Sequence, residues 1–215
     1  MQGVLAGCSS GVYLDDRGQE QADQLARRLQ QVPLAGIISS SLDRTRQTSE
    51  AIEGVQRESG SDLTITFDDR VKECDYGEWT GRELKKLAKD PLWKQVQGHP
   101  SSVTFPGGES MRTMQSRAIE AVREWNAHFD AKSTYAVVSH GDVIKSIVAD
   151  ALGIHLDQFQ RLAVDPGSVC IIEYTPLRPF VIRTNDTGSD LGFLRPAKKR
   201  ARKGSDAAVG GGAGR

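Results

Sequence analysis

Ser139-His140-Gly141, at the end of the apolar run Thr134-Tyr135-Ala136-Val137-Val138, is where this chain is best equipped for chemistry. A short β-branched run bounded by polar residues reads as a buried parallel strand, and Asp142 is placed to cap a helix carrying Val143, Ile144, Ile147 and Val148. His140 then stands at the carboxyl end of a strand, the edge at which open α/β sheets bind ligands. Gly141 lets the backbone approach an anion closely, and the helix amino terminus adds a favourable dipole. The alternative for His140 alone is a hydrogen-bonded structural histidine.

Three further segments supply company. Ile37 to Thr48 is again a short apolar strand running into hydroxyl residues and then a helix, so that Arg44 or Arg46 would project from the first helical turn toward the same edge. A guanidinium is a planar fork of donors suited to phosphate oxygens, and a bound dianion would offset the unfavourable dipole at that position. Val71 to Gly81 is a carboxylate-rich loop with Tyr76 and Trp79, and Glu73 is its candidate general acid, because a carboxyl beside apolar rings holds its proton more tightly. Asp75 and Glu78 read as surface charges. Phe105-Pro106-Gly107-Gly108 leads into a long amphipathic helix opened by Glu109 and Ser110, whose side chains and free backbone N–H groups could line a pocket.

The elements that must position these residues alternate. The pattern predicts helices near 16–31, 43–54, 81–89, 109–129 and 142–152 and strands near 35–39, 63–67, 134–139, 168–174 and 180–184. Such alternation implies a mostly parallel sheet with helices on both faces. Residues 90–105, with Pro91, Trp93, Gly98 and Pro100 and with Pro106 just beyond, read as a long loop that covers the site and tunes substrate choice.

Composition fits one domain over residues 1–190. The net charge of zero divides into +6 over residues 195–215 and −6 over the rest, and 191–215 reads as a disordered basic, Gly/Ala-rich tail. Three cysteines at unrelated spacings form neither a disulfide framework nor a metal knuckle. No apolar run approaches a membrane span, so cytoplasm is the expected compartment and neither membrane nor nucleic acid an expected partner.

Five segments in order resemble the histidine phosphatase superfamily and its phosphoglycerate-mutase-like fold: Leu14 to Ala22, Ser40 to Thr48, Glu73 to Gly81, Gly107 to Ser110, and Ser139 to Gly141. The segments Val169 to Tyr174 and Phe180 to Thr187 look like a bacterial branch of phosphomutases and broad-specificity phosphatases. The resemblance implies an α/β three-layer sandwich. It also implies that Arg44 binds the transferred phosphate, that Glu73 is the general acid, and that His140 stabilises charge on the phosphoryl oxygens. Gly7, Glu109, Ser110 and Gly141 are the expected substrate-binding residues. The implied substrate is a small phosphorylated metabolite, no cofactor or metal is called for, and a homodimer is left open.

One hallmark is missing. The family's first strand ends in Arg-His-Gly, whose histidine attacks phosphorus, and no such triplet occurs here. His99, His128 and His155 lie in unsuitable contexts, and Gly3 to Gly7 look like the loop that follows the triplet. The first strand is thus expected to be absent or truncated. Losing a central strand would remove apolar burial on the order of 10 kcal/mol, comparable to a domain's whole stability. The expectation is therefore that Met1 is a misassigned start of an active phosphatase or mutase, with phosphatase favoured. The runner-up is a nucleophile-less protein that binds phosphate.

Overall fold

The structure, a computed structural model, describes residues 3–188, so the basic tail expected at 191–215 lies outside the described residues. In chain order the elements are α1 (Asp16–Leu29), β1 (Leu34–Ser39), α2 (Asp43–Glu58), β2 (Ile65–Phe67), α3 (Leu84–Leu87), α4 (Pro91–Gly98), α5 (Met111–His128), β3 (Thr134–Val138), α6 (Gly141–Ala151), β4 (Val169–Tyr174) and β5 (Pro179–Asp186), with 3-10 turns at several joints.

β1 is the central strand of a parallel sheet ordered β2-β1-β3. Ile37 and Ile38 point to opposite faces and both are buried, as a strand covered by helices on each side requires. Leu25, Ala26 and Leu29 of α1 and Ile52 of α2 share a core with Leu34 and Ile37. Met111, Met114, Ala118 and Val122 of α5 form the other core with Val143 and Ile147 of α6. Helices on both faces of the sheet make the three-layer α/β arrangement expected.

Ser39 lies opposite Phe67 on one side and Val138 on the other, so the three strands end in register. Ser40 donates to the carbonyl of Val138 (3.0 Å) and Asp68 to that of Ser39 (2.9 Å), which carries the ladder one step past the strands. The segments leading to Arg44, Glu73 and His140 therefore leave one sheet edge side by side.

β4 and β5 are an antiparallel pair, separate from the parallel sheet. Ala136 and Val138 of β3 nevertheless pack against the same apolar cluster as Val169 and Ile171 of β4. Among the described residues β3 is hydrogen-bonded to a strand along one edge only, and all five of its residues remain half-buried.

Several boundaries differ from the sequence expectation. Residues 90–105 are not a long loop: Asp90 caps α4 by accepting from the N–H of Leu92, and a 3-10 turn follows at Pro100–Ser102. The helix expected over 81–89 shrinks to Leu84–Leu87. α2 runs on to Glu58, where the buried Gln56 amide donates to the carbonyls of Leu29 (2.7 Å), the last residue of α1, and Val32 (3.0 Å), just beyond it. His140, not Asp142, is the residue preceding α6, and its carbonyl accepts from Ile144. Among the described residues no helix is long and apolar enough to cross a membrane.

Candidate active site

Arg44 and Arg46, indistinguishable by position in the sequence, part company here. Arg46 is exposed and lays its guanidinium over the Phe67 ring, 4.7 Å from the centroid. Arg44 turns inward, where Nη2 donates to the carbonyl of Gly7 at 2.8 Å. Its other terminal nitrogen, Nη1, is buried with no hydrogen-bond partner. Burial lowers the Arg44 pKa, countered chiefly by the carboxyl of Glu73. An arginine far above neutral pH stays charged, so the site holds a desolvated cation with an unused donor.

His140 is buried, and its Nε2 lies 2.8 Å from the Ser40 hydroxyl. Burial, with Arg44 and Arg117 nearby, pushes its pKa down to about 3, so the imidazole is neutral. Ser139, one residue back, donates to the carbonyl of Val71 at 2.7 Å and ties the β3 edge to the loop that carries Glu73.

That loop is held from beneath. Arg117 of α5 donates to the carbonyls of Arg70 (2.7 Å), Lys72 (2.8 Å) and Glu73 (3.0 Å) and pairs with Glu109 at 2.6 Å. Glu109 also accepts from the N–H of Asp75 at 2.9 Å. Above, Tyr76 and Trp79 are buried with their ring edges against Phe105, and Trp93 of α4 stacks on Trp79 at 6.1 Å. Gly77 and Gly108 bring the two loops backbone to backbone, and a Cβ on either would overlap the other's main chain. The Glu73 carboxyl accepts from the N–H of Cys74 (3.0 Å) and is pushed up to about 8, first by burial and then by the negative charge of Asp142.

The sequence-derived residues are thus brought together in part. Arg44 bears on the charge states of both Glu73 and His140, and the Ser139 hydroxyl ties the edge carrying His140 to the Glu73 loop. Gly7 contributes its carbonyl to Arg44. Glu109 is occupied by Arg117 and the Asp75 N–H, and Ser110 caps α5 by accepting from Thr113 at 3.0 Å, so both serve the scaffold in this structure instead of presenting free groups. Gly141 is the first residue of α6. Exposed His99, His155 and His128 lie elsewhere, the last packed against Trp125 and Phe129.

A family model described as histidine phosphatase superfamily (branch 1) matches residues 2–187. The chain belongs to the histidine phosphatase superfamily. Phosphoserine phosphatase 1 of Hydrogenobacter thermophilus is 30% identical over 182 residues, covering 81% of each chain. A Salmonella choleraesuis protein named "Probable phosphoglycerate mutase GpmB" is 31% identical over 163 residues, covering 75% of this chain and 73% of its own. Among solved structures, Bacillus stearothermophilus YhfR superposes with a TM-score of 0.79 at 27% identity, covering 87% of this chain and 91% of that one. This member of the superfamily therefore has phosphatases and mutases as relatives and shares their phosphoglycerate-mutase-like fold.

Sequence reasoning missed Ser40, Arg117 and the partner of Asp142. Arg117 did leave a signal: it sits between Met114, Ala118 and Ala121 on the buried stripe of α5, where a charge requires a partner. Ser40 left none beyond its place at a strand end.

Proposed function

We propose that the protein, when its nucleophile is supplied, is a phosphomonoester hydrolase working through a phosphohistidine. The buried, unpartnered Nη1 of Arg44 carries this reading, since an uncompensated donor beside a neutral His140 suits the oxygens of a phosphate. Arg44 binds the phosphoryl group, and His140 donates to oxygens as their charge grows during in-line attack. Glu73, protonated near neutral pH, gives its proton to the departing alkoxide, and water then cleaves the phosphorus–nitrogen bond of the intermediate. The relatives' names share a phosphomonoester as reacting group, and a small phosphorylated metabolite fits this chemistry.

The attacking histidine is assigned to an Arg-His-Gly segment entering beside β3, whose second edge is unpaired among the described residues while β4 shares its apolar cluster. Phosphatase is preferred to mutase because α4 and the following turn, Pro91–Ser102, carry a single lysine and little positive charge with which to hold a second phosphate. α4 packs on the Glu73 loop through Trp93, and the segment is assigned to substrate choice.

A second reading is a phosphate-binding protein without turnover. It is favoured by the fact that, among the described residues, His140 has no second histidine beside it. Hydrolysis of p-nitrophenyl phosphate by this chain, and by the same chain extended with an Arg-His-Gly strand, separates the two. Metal-independent turnover by the extended chain alone supports the phosphohistidine. Equal turnover by both removes it, and loss of activity on chelation removes the metal-free mechanism. Tight binding of inorganic phosphate without turnover by either chain supports the second reading.

A further inference from the structure

Ser40 and His140 face each other from two strands that end side by side. Ser40 follows β1 by one residue and is fully buried, its N–H donates to the carbonyl of Val138 at the end of β3, and its hydroxyl oxygen lies 2.8 Å from Nε2 of His140. Each of these groups has a limited supply of protons. A neutral imidazole carries one N–H and one bare nitrogen, and a hydroxyl carries one O–H and two lone pairs. If Nε2 held the imidazole proton it would donate to Ser40, whose own proton would then need an acceptor. Among the described residues, the one other group bonded to Ser40 Oγ is itself a donor, the N–H of Leu42 at 3.4 Å. The hydroxyl proton would be stranded in the interior, a state that folded proteins avoid. In the opposite arrangement Oγ accepts from Leu42 and donates to Nε2, and nothing is left unpaired.

We propose that Ser40 is a positioning residue for His140: by donating to Nε2 it places the imidazole proton on Nδ1, and Nδ1–H is the donor that meets a phosphoryl oxygen. Which nitrogen of a histidine is protonated follows from the hydrogen bond that the other one makes. Among the described residues Nδ1 has no hydrogen-bond partner, so its proton is uncommitted. The arrangement runs against the habit of a free neutral histidine in water, which favours the proton on Nε2. Arg44 stands four residues beyond Ser40, so one short segment supplies the buried cation and decides which side of the imidazole donates. The use of Nδ1 toward phosphate rests on the reading of His140 as a phosphoryl-oxygen donor; the position of the proton does not. A Ser40 that merely filled space would leave the proton where water leaves it.

The test reads the tautomer by 15N NMR of the full chain labelled at histidine, with the His140 signals assigned by their loss in His140→Asn. Near neutral pH the parent chain is expected to show a protonated Nδ1 and a bare Nε2. A protonated Nε2, or an average of the two forms, overturns the proposal. Ser40→Ala removes the donor and is expected to move the population toward the Nε2 form, whereas Ser40→Thr, which keeps the hydroxyl, is expected to keep Nδ1–H. A folded Ser40→Ala with the Nδ1 form undiminished overturns the role of Ser40. Should that variant not fold, the parent decides through Nε2: a signal at the hydrogen-bonded end of the bare-nitrogen range supports donation by Ser40, and one at the free end overturns it. In the extended enzyme Ser40→Ala is expected to lose at least about tenfold in kcat, as an imidazole held in the wrong tautomer does. The functional reading fails separately: if Nδ1–H is found but His140→Ala keeps more than a tenth of the extended enzyme's rate, the position of the proton stands and the donor to phosphate is another group.

Discussion

Arg117 Nη2 donates to the backbone carbonyl of Glu73 at 3.0 Å, so a helix 44 residues further along the chain fixes the main chain of the proposed proton donor. The same guanidinium neutralises Glu109, and both side chains are largely buried. Arg117→Met strands a carboxylate and three carbonyls together. It is expected to cost about 3 kcal/mol in urea unfolding, the scale for breaking one partner out of a buried pair. Replacing Arg117 and Glu109 together by methionine should cost less than the sum of the single changes, and simple additivity would deny the coupling.

Arg44→Ala and His140→Ala are each expected to lower kcat of the extended enzyme by about two orders of magnitude or more, the scale of one preorganised donor lost from a developing oxyanion. Steady-state rates on a phosphomonoester check this. Retention of more than a tenth of the rate by either variant would remove that residue from the transition state.

Glu73→Gln should slow esters with poor leaving groups far more than those with good ones, since only a poor leaving group needs a proton as the bond breaks. Comparing an alkyl with a nitrophenyl phosphate reads this directly. Arg46→Ala, whose side chain rests on Phe67 away from the Arg44 pocket, should change neither rate more than about threefold.

Glu73 and His140 act on stability in opposite directions as pH changes. The Glu73 pKa rises in the fold from an ordinary 4.5 to about 8, so its stabilising contribution is complete below 4.5 and disappears as pH rises toward 8. His140 falls from 6.5 to about 3, so its contribution is complete above 6.5 and disappears as pH falls toward 3. Each slope approaches about 1.4 kcal/mol per pH unit. Urea unfolding at pH 5 and pH 8 should therefore find Glu73→Gln gaining on the parent at the higher pH. An equal difference at both would contradict the buried, neutral carboxyl.

The strand-and-helix order at the site was legible because local pattern decides it: Ile37-Ile38 before Ser39 and Val137-Val138 before His140 end at one sheet edge. The choice between Arg44 and Arg46 was not legible, because two residues apart on a helix they differ by direction, and direction is set by Phe67 and by the Gly7 carbonyl. Glu109 misled for a similar reason. Its capping-like position was visible, but Arg117, eight residues on, claims its carboxylate through the geometry of a loop that enters from elsewhere in the chain. Asp142 likewise looked like a cap until Tyr76, 66 residues away, gave it other work.

The segment holding Trp93 stands apart thermodynamically from the machinery beneath it. α4 contains no fully buried residue: Leu92, Trp93 and Val96 are half-buried against the core, and Trp93 stacks on Trp79. Exchanging its sequence disturbs these three edge contacts and leaves the sheet edge and the Arg117 clamp alone. Sequence change over Pro91–Gly98 therefore costs folding less than change in the turn beyond it, where Pro100 is buried and Ser101 is held by Asp157 and Arg112.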